Sequence, residues 1–151
     1  GLITETASGS VTTFSMHPSV HQILRRYLLE ELDKEKYWHL SMPMISALVA
    51  YTTRIREEND YGRMQLLSLH GEKILACHHL FPEKDMSNLK GELGALYALL
   101  GDWKKSQPLL QEALKYFNIH HDEKNELKIA QALTYLGYVC RAQGQYLQAK
   151  E

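Results

Sequence analysis

Apolar residues recur every three or four positions along most of this chain, the spacing of a helix with one buried face. Only the start reads differently. Leu2-Ile3-Thr4 and Val11-Thr12-Thr13-Phe14 are rich in β-branched residues and flank Ala7-Ser8-Gly9-Ser10, a turn composition. Residues 1–16 are therefore predicted to form a β-hairpin. A lone hairpin is marginal, so it must pack on the helix that follows. Pro18 opens that helix, where its missing N–H costs nothing. Val20, Ile23, Leu24, Tyr27 and Leu28 form its apolar face over 18–33, and Arg25, Arg26, Glu30 and Glu31 lie away from it. Over 34–42 Trp38, Leu40 and Met42 alternate, but so short a stretch fits a helix end equally well.

Pro43 is placed in the first turn of a second helix, 43–57, with Ile45, Leu48, Val49, Thr52 and Ile55 inward. Glu57-Glu58-Asn59-Asp60 breaks it. A third helix, 61–80, presents Met64, Leu67, Ile74, Leu75 and His78 and ends before Pro82. Gly71 in its middle costs up to about 1 kcal/mol relative to Ala, which marks a close helix contact. Ser87 is a good N-cap for a helix over 88–100 that carries Leu89, Leu93, Leu96, Tyr97 and Leu100. Gly101-Asp102 makes a tight turn into 103–119, with Leu109, Leu110, Ala113, Leu114 and Phe117 inward. Pro108 is expected to bend that helix. After a loop at 120–123, the helix 124–143 carries Leu127, Ala130, Leu133, Leu136, Gly137 and Cys140. Gly144-Gln145 repeats the turn, and a further helix is expected from Gln145.

The last two helical stretches share a period. Gly94 aligns with Gly137, Gly101 with Gly144, Trp103 with Tyr146 and Ser106 with Ala149, each pair 43 residues apart. A fixed period of this size marks stacked helical hairpins, which cannot bury their apolar faces alone. The predicted fold is mostly α: a short N-terminal β-hairpin, then an α-α superhelix of helical hairpins. Such an array points to binding and not to chemistry.

Composition narrows the function classes. The chain has 151 residues, 44% hydrophobic and 23% charged, with a net charge of −1. That balance lacks the basic excess of a nucleic-acid binder. No run is long enough to span a membrane, and the start has no secretory pattern. Cys77 and Cys140 lack a CxxC partner and read as small buried side chains in a reducing, cytoplasmic setting. The chain starts at Gly1 and stops at Glu151, inside an expected helix, so the natural protein is expected to continue. The helix 124–143 would then be left partly bare at Leu133, Leu136 and Cys140, and self-association is expected from that face.

The segments Leu-Gly-Ala-Leu-Tyr-Ala-Leu-Leu-Gly-Asp-Trp-Lys-Lys-Ser (93–106) and Leu-Gly-Tyr-Val-Cys-Arg-Ala-Gln-Gly-Gln-Tyr-Leu-Gln-Ala (136–149) resemble the tetratricopeptide pattern. The long period, and proline at Pro108, are similar to the kinesin light chain subclass. In that pattern small residues (Gly94, Ser106, Gly137, Ala149) let the helices of one hairpin approach. Large ones (Leu93, Tyr97, Trp103, Leu136) fill the space between hairpins. Ser106 stands where alanine is usual and Cys140 where tyrosine is usual. The resemblance implies a protein or peptide ligand bound on the repeat surface.

Phe14-Ser15-Met16-His17-Pro18-Ser19-Val20-His21-Gln22 resembles the end of the winged-helix subdomain in STAND-type signalling ATPases with an NB-ARC core. There a Met-His-Asp-like motif closes the nucleotide module, and its histidine approaches the β-phosphate of ADP in the resting state. The resemblance assigns that role to His17, with Pro18 in place of the aspartate. No G-x-x-x-x-G-K-[ST] occurs in the chain. Nucleotide chemistry would therefore lie upstream, with no cofactor here and ADP or ATP bound only by the full-length protein. A plain helix-capping role for His17 is the competing reading.

Other constellations are weaker. His78-His79 and His120-His121-Asp122 are adjacent in sequence, so neither makes a chelate of the His-x-x-x-His kind. Glu57, Glu58 and Asp60 read as a solvated helix end. No triad is recognisable from sequence. The expected organisation is 1–33 as the last part of a winged-helix-like subdomain, 34–84 as a helical connector, and 85–151 as tetratricopeptide repeats. The expected function is non-catalytic: ligand sensing and protein interaction within a nucleotide-dependent switch. A free-standing tetratricopeptide adaptor remains the alternative, and a helical metal-dependent hydrolase is the least supported.

Overall fold

The helical spacing of the sequence is realised as helices over most of the chain. The computed structural model describes residues 3–8, 11–16, 18–26, 34–121 and 123–144. The chain divides into two units, Gly1–Leu40 and Ser41–Glu151. In the first, strands β1 (Ile3–Ser8) and β2 (Val11–Met16) pair antiparallel, with Ile3 opposite Met16 and Ser8 opposite Val11. Helix α1 (Pro18–Arg26) follows. Ile23, expected on its inward face, is exposed. The rest of that predicted helix, 27–33, and His17 lie outside the described residues.

Helix α2 (Lys34–Glu57) is one continuous helix through Pro43, so it starts well before the predicted 43. Proline removes one backbone hydrogen bond and crowds the carbonyl four residues earlier. Here Met42, Pro43 and Met44 are all exposed, so the freed His39 carbonyl can turn to water. Farther along, Ile45, Thr52 and Ile55 are buried as expected, with Leu48 and Val49 half-buried. The Thr52 hydroxyl donates to the Leu48 carbonyl (2.7 Å), which lets a polar side chain sit in the core. Asn59, with φ 55°, turns the chain, and the Asp60 carboxylate accepts from the Arg63 N–H (3.0 Å) to cap α3 (Tyr61–Ala76).

α3 ends before the predicted 80. A 3₁₀ turn over His78–Leu80 follows, and His78 is exposed rather than facing the core. Helix α4 (Glu83–Leu100) starts earlier than expected. Pro82, with φ −59°, sets the entry, and Glu83 and Asp85 suit the positive end of the helix dipole. Ser87 is therefore no cap: it lies inside α4 and is buried. α4 packs against α3, α5 (Trp103–Ile119) and α6 (Glu123–Ala142). That central position explains why Leu89, Leu93, Ala95, Leu96 and Ala98 are all fully buried.

Two core clusters organise the second unit. Ile45, Met86, Leu89, Leu93 and Tyr97 form one, and Ile55, Met64, Leu67 and Leu96 the other. Helix ends recur at regular steps: α2 ends at Glu57, α4 at Leu100 and α6 at Ala142. The α4–α5 turn is a Schellman motif. Gly101 (φ 78°) donates to the Ala98 carbonyl, and the Asp102 N–H reaches Tyr97. The Asp102 side chain then caps α5 by accepting from the Lys105 N–H (3.2 Å). Gly144 has φ 74° and donates to the Arg141 carbonyl, so the same turn begins 43 residues later.

Candidate interaction cleft

Helices α2, α4, α5 and α6 together line a cleft of about 110 Å³. Val49 comes from α2, Asn88, Gly91 and Glu92 from α4, Phe117 from α5, and Lys128, Gln131 and Ala132 from α6. The polar residues are cross-linked between helices. Lys128 Nζ donates to Asn88 Oδ1 (2.6 Å), and Gln131 Nε2 to Glu92 Oε1 (3.2 Å). Beside the cleft, Arg56 of α2 pairs with Glu92 of α4, Nη1 to Oε2 at 3.3 Å, with side chains 10% and 14% exposed. Neither of those two atoms makes a hydrogen bond, so the charges attract without good alignment. Removing one member of such a buried pair typically costs about 3–5 kcal/mol, because the other charge is stranded.

Cation–π contacts brace both cations. The Arg56 guanidinium lies 5.4 Å from the Tyr135 ring centre, and Lys128 Nζ 5.4 Å from that of Phe117. The cleft wall therefore has one cation, one carboxylate and two side-chain amides, with the Arg56 cation beside it. Each amide uses one group in these bonds. Among the described residues, Asn88 Nδ2 and Gln131 Oε1 have no partner.

A second network lies where α3, α4 and α5 meet. The Tyr97 hydroxyl donates to Glu72 Oε1 (2.5 Å), and Lys105 Nζ donates to the same oxygen (2.7 Å). Lys105 Nζ also stands 5.2 Å from the centre of the Tyr97 ring. Lys105 and then Tyr97 hold the Glu72 carboxyl below its ordinary range. Burial, and next the Glu72 bond, push the Tyr97 phenol above its own. Glu72 in turn raises Lys105. This network ties α3, α4 and α5 together.

Among the described residues, those read from the repeat pattern do not line the cleft. Gly94 and Ser106 meet: the Ser106 hydroxyl donates to the Gly94 carbonyl (2.8 Å), and both residues are buried. A Cβ at Gly94 would lie 2.7 Å from Leu110 Cγ and 3.1 Å from its backbone nitrogen. Leu93 and Tyr97 are buried in the cluster with Ile45, Met86 and Leu89. Trp103 packs edge-on against Tyr138 of α6, ring centres 5.6 Å apart, and so bridges from one hairpin to the next helix. Gly101 and Gly144 share the left-handed turn. Leu136 is half-buried, and a Cβ at Gly137 would meet nothing within 4 Å, so no close crossing exists there among the described residues. Tyr146 and Ala149 lie outside those residues.

The predicted inward face of α6 is corrected. Leu127 is 76% and Leu133 52% exposed, and Ala130 is exposed too. The packed side runs through Asn125, Ala132, Val139 and Cys140. Asn125 donates to the His120 carbonyl (2.7 Å), which fixes the entry to α6. An apolar stripe marks a face that favours burial but does not say which neighbour covers it.

Periodicity also missed the cleft residues. One signal was present: Asn88 and Gln131 stand 43 apart, as do Val49, Glu92 and Tyr135 in succession. Among the described residues no group of three or more His, Cys, Asp or Glu could hold a metal ion, and no helix is long and apolar enough to cross a membrane. The chain matches no protein-family model, no curated protein and no solved structure.

Proposed function

We propose that this chain is a non-catalytic, ligand-sensing segment that binds a protein or peptide along α2, α4 and α6, within a larger nucleotide-dependent signalling switch. The observation that carries the binding reading is the cleft. Three helices from three successive hairpin positions each place side chains on it, and Asn88 and Gln131 occupy the same register of the period. A peptide backbone offers one donor and one acceptor per residue. Side-chain amides with one unused group each are suited to it. In this reading α2–α3, α4–α5 and α6 are successive tetratricopeptide-like hairpins of a superhelix, and the connector is part of the array. The switch reading rests on the sequence around His17, and it assigns His17 to the phosphate of a nucleotide bound upstream.

A screen of short random peptides against the isolated chain tests the binding reading. Bound peptides should shift the backbone amide resonances of Asn88, Gly91 and Gln131. Asn88→Ala and Gln131→Ala should each weaken binding by about two- to tenfold, the worth of one hydrogen bond, while circular dichroism shows each variant still folded. Peptides that leave these amides unmoved, or no binder tighter than about 1 mM, would count against it.

A further inference from the structure

The connection from α3 to α4, the first turns of α4 and the last turns of α5 line a second cavity, of about 350 Å³, which shares no lining residue with the cleft. Met86 and Ser87 of α4 line it and are 3% and 4% exposed, and Phe81, Tyr116 and Ile119 complete an apolar wall. The Tyr116 ring is held in place: it stacks on His120, with ring centres 4.2 Å apart, and meets Phe117 edge-on at 5.9 Å. Ser87 is the polar exception on this wall. It is more than nine-tenths buried, and among the described residues its hydroxyl makes no hydrogen bond. Buried polar groups are normally paired, so an unpaired hydroxyl on a cavity wall points to a partner inside the cavity. Around the apolar wall the charges balance. Lys90 Nζ meets Glu112 Oε2 (2.7 Å) between α4 and α5, and Glu83 and Lys115 add one charge of each sign.

We propose that this cavity binds a neutral aromatic small molecule of one or two rings that carries a hydroxyl or carbonyl group. Size, wall, charge and the free hydroxyl each select that class. A cavity of roughly 150 Å³ holds one benzene ring, so about 350 Å³ has room for two. The volume also falls within the range of about 300–1,000 Å³ usual for small-molecule sites. A fixed tyrosine ring favours another ring in offset or edge-on contact, and the Met86 thioether makes favourable contacts with ring edges. An anion such as phosphate gains no net attraction, because Glu83 and Glu112 repel what Lys90 and Lys115 attract. The Ser87 hydroxyl both donates and accepts, so it can pair with a hydroxyl or a carbonyl on the ring. This site stands independently of the peptide reading of the cleft, since the two use different residues of α4.

Titration of the whole chain with β-naphthol at neutral pH, followed through the methyl resonances of Met86 and Ile119, tests this. Both methyls should shift under the ring current and saturate, with a Kd below about 1 mM, while the amides of Gln131 and Ala132 in the cleft stay in place. Ser87→Ala, with circular dichroism confirming that it folds, should weaken β-naphthol by about two- to tenfold. It should leave toluene, which has no hydrogen-bonding group, unchanged. Tyr116→Ala should weaken both probes. β-Naphthoate, the same rings with a negative charge, should bind more weakly than β-naphthol. Methyls of Met86 and Ile119 that do not saturate overturn the proposal. So does a Ser87→Ala variant with unchanged β-naphthol affinity, or β-naphthoate as the tighter ligand. A blocked tyrosine peptide that binds tighter than β-naphthol also overturns it, because the occupant is then a polypeptide side chain.

Discussion

Gly94 and Gly137 hold the same register of the period, yet their surroundings differ. At Gly94 an added methyl would press on Leu110, side chain and backbone, across the α4–α5 contact. Backbone yields less readily than a side-chain tip, so the two helices must separate. At Gly137 the same methyl meets none of the described residues within 4 Å. Gly94→Ala should therefore destabilise the chain by about 1–3 kcal/mol through overpacking. Gly137→Ala should be neutral or stabilise by up to about 1 kcal/mol, because alanine is the better helix former. Urea unfolding of both variants checks this. Equal losses would mean that Gly137 is as tightly packed as Gly94. Ser106 shows why the position tolerates more than alanine: its hydroxyl finds the Gly94 carbonyl, so the extra polar group is buried but satisfied.

At the scale of elements, α3, α4 and α5 are held in register by apolar packing and by the Glu72–Tyr97–Lys105 network. Its pH dependence has two signs. Glu72 is shifted down in the folded chain, so its contribution is present above the ordinary carboxylate range, about 4.3, and is lost as pH falls below it. Tyr97 is shifted up, so its contribution is full below the ordinary tyrosine value of about 10 and is lost as pH rises through the folded value. Above pH ~10 the unfolded chain releases a proton that the folded chain keeps, and stability falls by up to about 1.4 kcal/mol per pH unit. We expect wild-type stability to fall more steeply than that of Tyr97→Phe between pH ~10 and ~11.5. Urea midpoints of the two proteins across that range check it. Parallel curves would show that Tyr97 ionises as readily folded as unfolded.

For the molecule as a whole, both core clusters draw all their buried members from the unit Ser41–Glu151. The cleft-lining residues belong to it as well. A chain of residues 41–151 should therefore fold by itself, keep its helical circular dichroism and unfold cooperatively in urea. It should also retain the amide resonances of Asn88, Gly91 and Gln131 at their positions in the whole chain. A non-cooperative transition, or collapse of the resonance dispersion, would show that the first unit supplies part of the core.

Sequence alone determined where most helices lie and where the sharp turn falls. Both follow from local physics. Apolar residues at helical spacing define α5 within the bounds read from the pattern, and only glycine readily takes the left-handed turn at Gly101 and Gly144. The inward faces of α2 and α4 were legible for the same reason: Ile45, Thr52, Leu89 and Leu96 are buried as their spacing demanded. The starts of α2 and α4 were not. Proline is a local stop signal, but its cost depends on whether the freed carbonyl reaches solvent, as it can beside exposed Pro43. Nor was the packed side of α6, where neighbours cover Asn125, Ala132 and Val139 and leave Leu127 bare. The cleft was hidden most completely. Its polar residues matter because Asn88, Glu92, Lys128 and Gln131, with Arg56 beside them, converge from three helices. Convergence of residues far apart in sequence is set by tertiary packing, and the spacing within any one helix cannot reveal it.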